Sequence, residues 1–296
     1  MANVEANGMK LEYEAFGDAS DPCILLLMGL GGQLVRWPQA LVEDLASRGF
    51  RVIRYDHRDV GLSEKMDSAG VPNLLEVLQA GEQGKEPDIP YTLADMAADA
   101  AGLLDALGIQ SACACGVSMG GMIAQRLALN FPQKVSALVS MESTPGGKDL
   151  APPADDAVAA LLAVPPNDRK AYVEHMVWVF TVFSGGSPAF DPDHERKMAA
   201  VSFDRCFYPP GVARQTAAVL SAPPRAEELS RVAVPALVLH GQRDPLIPPA
   251  HGRATADALQ NARLSLYEDL GHGLAYPSLW PKMAEEVAQT AKLGLE

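Results

Sequence analysis

Short, continuously apolar runs closed by glycine or aspartate recur along the chain and alternate with stretches of helical period. Residues 23–29, CILLLMG, have the pattern of a strand buried on both faces in a parallel sheet. FRVIRYD (ending at Asp56), the run from Ala112 to Cys115, KVSALVSME at 134–142 and VPALVLHG at 234–241 predict further strands, and MKLEYEAF at 9–16 adds one by loose alternation. A helix fits residues 38–48. Thr92 with Asp95 resembles a capping box opening another, whose Leu93, Met96, Ala97, Ala100, Leu104 and Leu107 fall at helical spacing before Gly108 ends it. Near the C-terminus come a helix around 250–260, the short strand RLSLYED and a terminal helix from about Pro277. Strand, helix, strand is a βαβ unit, so the expected fold class is α/β, with a mostly parallel β-sheet flanked by helices. From Ser143 to about Arg231 the texture changes. TPGGKDLAPPADD reads as a linker, helical patterns follow without a parallel-strand signal, and Tyr172, Trp178, Phe180, Phe183, Phe190, Phe203, Phe207 and Tyr208 concentrate there. The expected organisation is a core of residues 1–143 and 231–296 with residues 144–230 inserted as a helical cap, or lid.

The stretch CACGVSMGGMIAQRLAL, 113–129, joins a strand to a helix through Gly116-Val117-Ser118-Met119-Gly120; the helix runs to Asn130, and Pro132 prevents its continuation. This is G-x-S-x-G between a strand and a helix, the setting in which that pattern exposes a nucleophilic serine. A hydroxyl can attack a carbonyl carbon only if it stands clear of the sheet on a sharp turn. Such a turn brings strand and helix backbones so close that side chains two positions either side of the serine would collide, and glycines at 116 and 120 remove them. The same turn aims the Met119 N–H, at a helix N-terminus, toward negative charge forming beside Ser118.

Serine needs a base, usually a histidine held by a carboxylate. Of the six histidines, His272 in DLGHGLAYP follows a short strand and precedes the last helix, where it can reach back over the sheet. His57 also follows a strand but sits beside Arg58 and Asp59. His240 falls inside a predicted strand, and His175, His194 and His251 fall in helical or cap regions. His272 is therefore the candidate base. Asp244, in the loop after VPALVLHG, lies beyond a strand's C-terminal edge, where open parallel sheets build their sites. Glu142, ending the preceding strand, is the alternative carboxylate.

Composition narrows the partners. A formal net charge of −13 argues against nucleic acid and anionic membrane surfaces, which need clustered Lys and Arg. The four cysteines, at 23, 113, 115 and 206, form no C-x-x-C pair and no disulfide framework; Cys113 and Cys115 share a strand face as small apolar residues. The N-terminal MANVEANGMKLEYEAFG has no apolar signal core, and the run Ile24 to Leu30 is too short to span a bilayer. The expectation is a reduced, soluble, cytoplasmic protein; oligomeric state is not legible.

The order Ser118…Asp244…His272, each residue in its expected setting, resembles the α/β-hydrolase family over almost the full length. MGLGGQLVRW, YDHRDVGLSE, YTLADMAADAAGLLDALGI and GVSMGGMIAQRLAL further resemble its bacterial esterase-like branch, which includes the aclacinomycin methylesterases. The resemblance implies an oxyanion hole made by the N–H groups of Leu30 and Met119, with Gly29 beside the substrate. Met28-Gly29 stands where many relatives have His-Gly. Trp37, just past that loop, is a candidate to line the pocket, with core packing as its alternative. Asp56, Arg58 and Ser63 match the family's D-x-R-x-x-G-x-S and are expected to brace loops beneath the site. Dehalogenases and epoxide hydrolases of this fold carry aspartate at the elbow, which Ser118 excludes. The implied activity is a serine carboxylesterase working on small hydrophobic or aromatic esters through an acyl-enzyme, with no metal or organic cofactor. Lactone, thioester, amide or perhydrolysis chemistry is the alternative on the same residues. A lyase or a ligand-binding receptor is a more distant one.

Overall fold

The computed structural model describes residues 2–296, the side chain of Glu82 apart; Met1, counted in the expected core, lies outside them. Eight strands, β1 Ala2–Ala6, β2 Met9–Phe16, β3 Cys23–Leu27, β4 Arg51–Tyr55, β5 Ala112–Val117, β6 Val135–Met141, β7 Ala236–Gly241 and β8 Ala262–Tyr267, form one sheet in the order β1-β2-β4-β3-β5-β6-β7-β8. β1 and β2 pair antiparallel at one edge, and the strands from β4 to β8 are parallel. The helices are α1 Gln39–Ser47, α2 Leu74–Glu82, α3 Leu93–Ala106, α4 Met119–Asn130, α5 Asp155–Leu162, α6 Arg169–Phe183, α7 Pro192–Arg205, α8 Pro209–Leu220, α9 Ala226–Leu229, α10 Pro249–Ala258 and α11 Trp280–Leu293. None is long and apolar enough to cross a membrane among the described residues.

The apolar runs are explained by burial on both faces. In β3, Ile24 and Leu26 pack with Leu41 and Val42 of α1 and Met283 and Val287 of α11; Leu25 and Leu27 pack with Met96 and Leu103 of α3 and Ile123 and Leu127 of α4. Period-two alternation along one strand thus feeds two cores. Cys113 and Cys115 of β5 share the α1–α11 side as buried free thiols. From β3 the chain crosses to β4 on one side and then to β5 on the other. The C-terminal ends of β3 and β5 therefore flank the point where strand order reverses, the crevice in which open α/β sheets bind ligands.

Two elements lie outside the sequence expectations. β1 pairs with β2 through a two-residue turn with Asn7 at φ 51° and Gly8 at φ 73°, the left-handed pair that an Asn-Gly hairpin requires. The Asn-Gly signal was present, but β1 is mostly exposed and carries little apolar pattern. α2 lies within the polar excursion before Pro90; Asn73 caps it through Leu75 N–H, yet Leu75 and Leu78 are exposed, so its pattern points to no core.

The helices between β6 and β7 are tied to the sheet by buried polar contacts. Arg214 of α8 donates from Nε and Nη2 to Asp59, both at 2.8 Å, with both side chains buried. Asp56 accepts Leu34 N–H at 2.7 Å and Leu62 N–H at 2.8 Å, and pairs with Arg205 of α7. Arg58 forks onto Asp99 of α3, and Ser63 Oγ links Asp56 O to Glu12 N–H. These groups hold loops together and none lines the cavity described below. Removing one partner of a buried pair leaves the other charge uncompensated. Asp59→Ala is therefore expected to cost about 3–5 kcal/mol of stability, read as a lower midpoint in urea unfolding.

Candidate active site

Ser118 sits between β5 and α4 at φ 56°, left-handed backbone that an L side chain enters only under constraint. Its N–H is anchored on Met141 O at 2.8 Å. A Cβ on Gly116 would stand 2.0 Å from Gly120 O, and one on Gly120 would stand 2.0 Å from Leu27 O. The two glycines are thus needed because the helix start is pressed against both β5 and the end of β3.

Ser118, His272 and Asp244 are joined in one hydrogen-bonded chain. Ser118 Oγ lies 3.0 Å from His272 Nε2, and His272 Nδ1 lies 2.7 Å from Asp244 Oδ2. The tautomer carrying hydrogen on Nδ1 satisfies both contacts, donating to Asp244 and accepting from the serine. The other Asp244 oxygen accepts the N–H groups of Leu246 at 2.9 Å and Ile247 at 2.8 Å, which fixes the carboxylate. The His272 backbone N–H donates to Phe183 O at 2.8 Å, and the Phe183 ring meets the imidazole edge-on, so α6 helps hold the histidine loop. Burial disfavours the charged imidazole, but Asp244 and, more weakly, Glu142 outweigh it, and the His272 pKa lies above its ordinary 6.5.

Glu142 also reaches this cluster, with its Oε2 at 4.0 Å from His272 Nδ1. Asp244 makes the hydrogen bond and Glu142 does not. Glu142, Asp244 and His272 are the residues among those described whose ligand atoms would fit one metal ion. The 2.7 Å Asp244–His272 bond already occupies two of those atoms, so a cation there would have to replace it.

Leu30 and Met119 both border the cavity beside Ser118. Met119 opens α4, and the first N–H groups of a helix have no partner within it. The loop carrying Leu30 is closed by Gly32 N–H on Gly29 O at 3.0 Å and by Gly31 N–H on Gln215 Oε1 at 2.9 Å. Gly29 packs directly on the serine: a Cβ there would lie 3.3 Å from Ser118 Cβ. The cavity above encloses about 340 Å³ and is mostly apolar, with Met28, Met122, Phe180, Phe183, Met198 and Leu246 in its wall.

Trp37 is not a substrate-binding residue and takes the alternative expected of it, core packing. It is 1% exposed, packs in the α1–α11 core and does not line the cavity. The single turn Leu34–Arg36 rotates the chain so that Arg36, not Trp37, faces the cavity. Arg36 donates from both terminal nitrogens to Glu195 of α7, at 2.8 and 2.7 Å, and lies over the Phe180 ring. This pair escaped the sequence reading because 159 positions separate its members. His194 and His251 also border the cavity. His57 does not: it is buried with Nε2 on Met28 O at 3.0 Å, and burial pushes its pKa down to about 4. His240 is buried too, with Nε2 on Ile247 O at 2.7 Å.

A serine–histidine–carboxylate chain at the switch point of a mostly parallel sheet defines the class, and the sequence agrees: residues 22–277 match the model of the alpha/beta hydrolase fold family, to which the chain belongs. It is 30% identical over 302 residues to a rhodomycin D methylesterase of Streptomyces sp. (strain C5), covering 94% of this chain and 93% of that one. It is 27% identical to 3-oxoadipate enol-lactonase 2 of Acinetobacter baylyi, over 89% of this chain and 86% of the relative. The fold matches a meta-cleavage product hydrolase from Pseudomonas fluorescens with a TM-score of 0.74 at 18% identity, covering 98% and 97% of the two chains.

Proposed function

We propose that the protein is a serine carboxylesterase acting on neutral apolar or aromatic esters, with residues 144–230 forming a cap over the site. The observation that carries this reading is the continuous Ser118–His272–Asp244 hydrogen-bond chain at the floor of an apolar cavity. Ser118 Oγ attacks the ester carbonyl carbon while His272 Nε2 takes its proton, and Asp244 orients and stabilises the imidazolium. Leu30 and Met119 N–H groups receive the oxyanion. His272 then protonates the departing alkoxide, leaving an acyl-serine. Water, deprotonated by His272, attacks that acyl group, and the carboxylic acid leaves as the serine is restored. The residues themselves supply each proton transfer, so the reading calls for no cofactor.

The cavity supports the substrate class. A volume of about 340 Å³ suits a compact ligand, and the charge of Arg36 in the wall is matched by Glu195. A methylesterase among the relatives supports an ester as the bond cleaved. Buried free thiols at Cys23, Cys113 and Cys115 support a reducing, cytoplasmic setting.

The reading is tested by hydrolysis of a graded panel of aryl, alkyl and methyl esters, with lactones and thioesters alongside. Serine-dependent turnover that favours apolar acyl groups is expected. Preference for a lactone or thioester over every simple ester would reassign the bond. The pH profile gives a further check. His272 acts as base only when uncharged and its pKa is raised, so kcat/KM should climb with pH through a midpoint above 6.5. A midpoint at or below 6.5 would remove His272 from that role.

A further inference from the structure

Glu142 is held in a way that core packing does not require. It follows β6 with φ at 47°, left-handed backbone unfavourable for its side chain, and its own N–H is fixed on Leu239 O at 2.8 Å. The side chain is fully buried. Oε2 accepts the N–H of Gly273, the residue after the candidate base, and Oε1 has no partner among the described residues. That carboxyl lies on the same side of the imidazole as Asp244, at 4.0 Å from Nδ1 against 2.7 Å. A strained residue carrying a buried, half-satisfied carboxyl is costly to the fold, and such costs concentrate at functional sites.

We propose that Glu142 is a positioning residue for His272: it fixes the histidine loop through the Gly273 N–H and stands as a second acid beside Asp244 when the imidazolium forms. The inference rests on the serine-esterase reading. Burial, reinforced by the Asp244 charge, pushes the Glu142 pKa up to about 8 despite the opposing effects of His272 and the Gly273 N–H. A neutral carboxyl can stay buried beside the charged Asp244, and its ionised form places a second negative charge 4.0 Å from His272 Nδ1. The other titratable groups around it are few. Tyr276, whose hydroxyl accepts Gly271 N–H, has its phenol pushed far up by burial and then by Glu142. His240, 3.7 Å from Asp244, has its pKa lowered by burial and remains neutral.

Two carboxyls facing one imidazole titrate with it as a coupled set, which broadens the ascending limb of kcat and moves it to higher pH. Glu142→Gln keeps an oxygen for Gly273 N–H while removing the acid. Its limb should move to lower pH and sharpen to a single ionisation, with the change in kcat and not in KM. Glu142→Asp, which restores a carboxyl, should move the limb back toward the parent. Asp244→Asn should retain activity that Asp244→Asn/Glu142→Gln loses by a further factor of 10 or more, roughly what one charged contact to an imidazolium supplies. An unmoved limb in Glu142→Gln, with the double variant no slower than Asp244→Asn, would overturn the proposal. If Glu142→Gln folds poorly, Glu142→Ala, which also removes the acid, and its double with Asp244→Asn carry the same test. A Ser118→Ala control as active as the parent would instead refute the esterase reading, so the two failures are distinguishable.

Discussion

Replacing Ser118 by alanine should lower ester turnover by about 10⁴-fold or more while leaving the fold intact. The geometry sets the size of the effect. His272 Nε2 has the serine oxygen at 3.0 Å as its partner, so without that oxygen the base has no nucleophile to deprotonate. What survives is whatever rate the proposed oxyanion donors and cavity give to direct attack by water. Alanine also removes no buried contact that holds the turn, because Ser118 is anchored through its backbone on Met141 O and Gly121 N–H. Steady-state rates on the best ester of the panel, with unfolding curves of both proteins, provide the measurement. A variant with near-parent rates would end the nucleophile assignment, whereas a loss of rate accompanied by unfolding would leave it undecided until a Ser118→Cys variant was compared.

The second large effect is expected from Gly120→Ala, and it strikes fold and chemistry together. The added methyl would sit 2.0 Å from Leu27 O and 2.7 Å from Met28 O, backbone atoms that no rotamer change can move. Either α4 lifts off the sheet or the end of β3 shifts, carrying with it the Gly29–Leu30 loop. Overpacking of this kind costs about 1–3 kcal/mol, sometimes more, and displacement of Leu30, the proposed oxyanion donor, would cost roughly 10²–10³ in kcat. Gly81→Ala is the matched control. Its Cβ meets nothing within 4 Å, it lies in α2 away from the cavity, and helix propensity favours alanine by about 0.5–1 kcal/mol. Thermal midpoint and kcat should both fall in the first variant, while in the second the midpoint should hold or rise at unchanged kcat. Equal behaviour of the two would mean that the elbow tolerates a side chain at 120 and that its glycine is incidental.

Much of this architecture was legible because the physics behind it is local. The continuous apolar runs of β3 and β5, helical spacing in α3 and the Thr92–Asp95 cap each involve residues close in the chain, so local pattern and capping chemistry reveal them without knowledge of the fold. The elbow was legible for the same reason: Gly116, Ser118 and Gly120 lie within one turn, and the steric conflict that demands glycine arises between the strand and helix they join. β1 was missed because an exposed edge strand needs no apolar face, and its place depends on pairing with β2.

The sequence by itself determined the parallel α/β core, the elbow at Ser118 and the order in which a serine, an aspartate and a histidine follow one another. Only the tertiary structure decided which carboxyl bonds the imidazole. Asp244 and Glu142 both stand at the C-terminal edges of neighbouring strands, and the choice depends on the course of the His272 loop, pinned by His272 N–H on Phe183 O and by Gly273 N–H on Glu142 Oε2. It also decided that Arg36 faces the cavity while Trp37 enters the core, since one short turn sets which of two adjacent side chains points where. Likewise the Arg36–Glu195 and Arg214–Asp59 pairs join residues far apart in the chain. Periodicity records which face of an element is buried; it carries no information about which distant side chain meets that face, and a site built between elements is settled by that meeting.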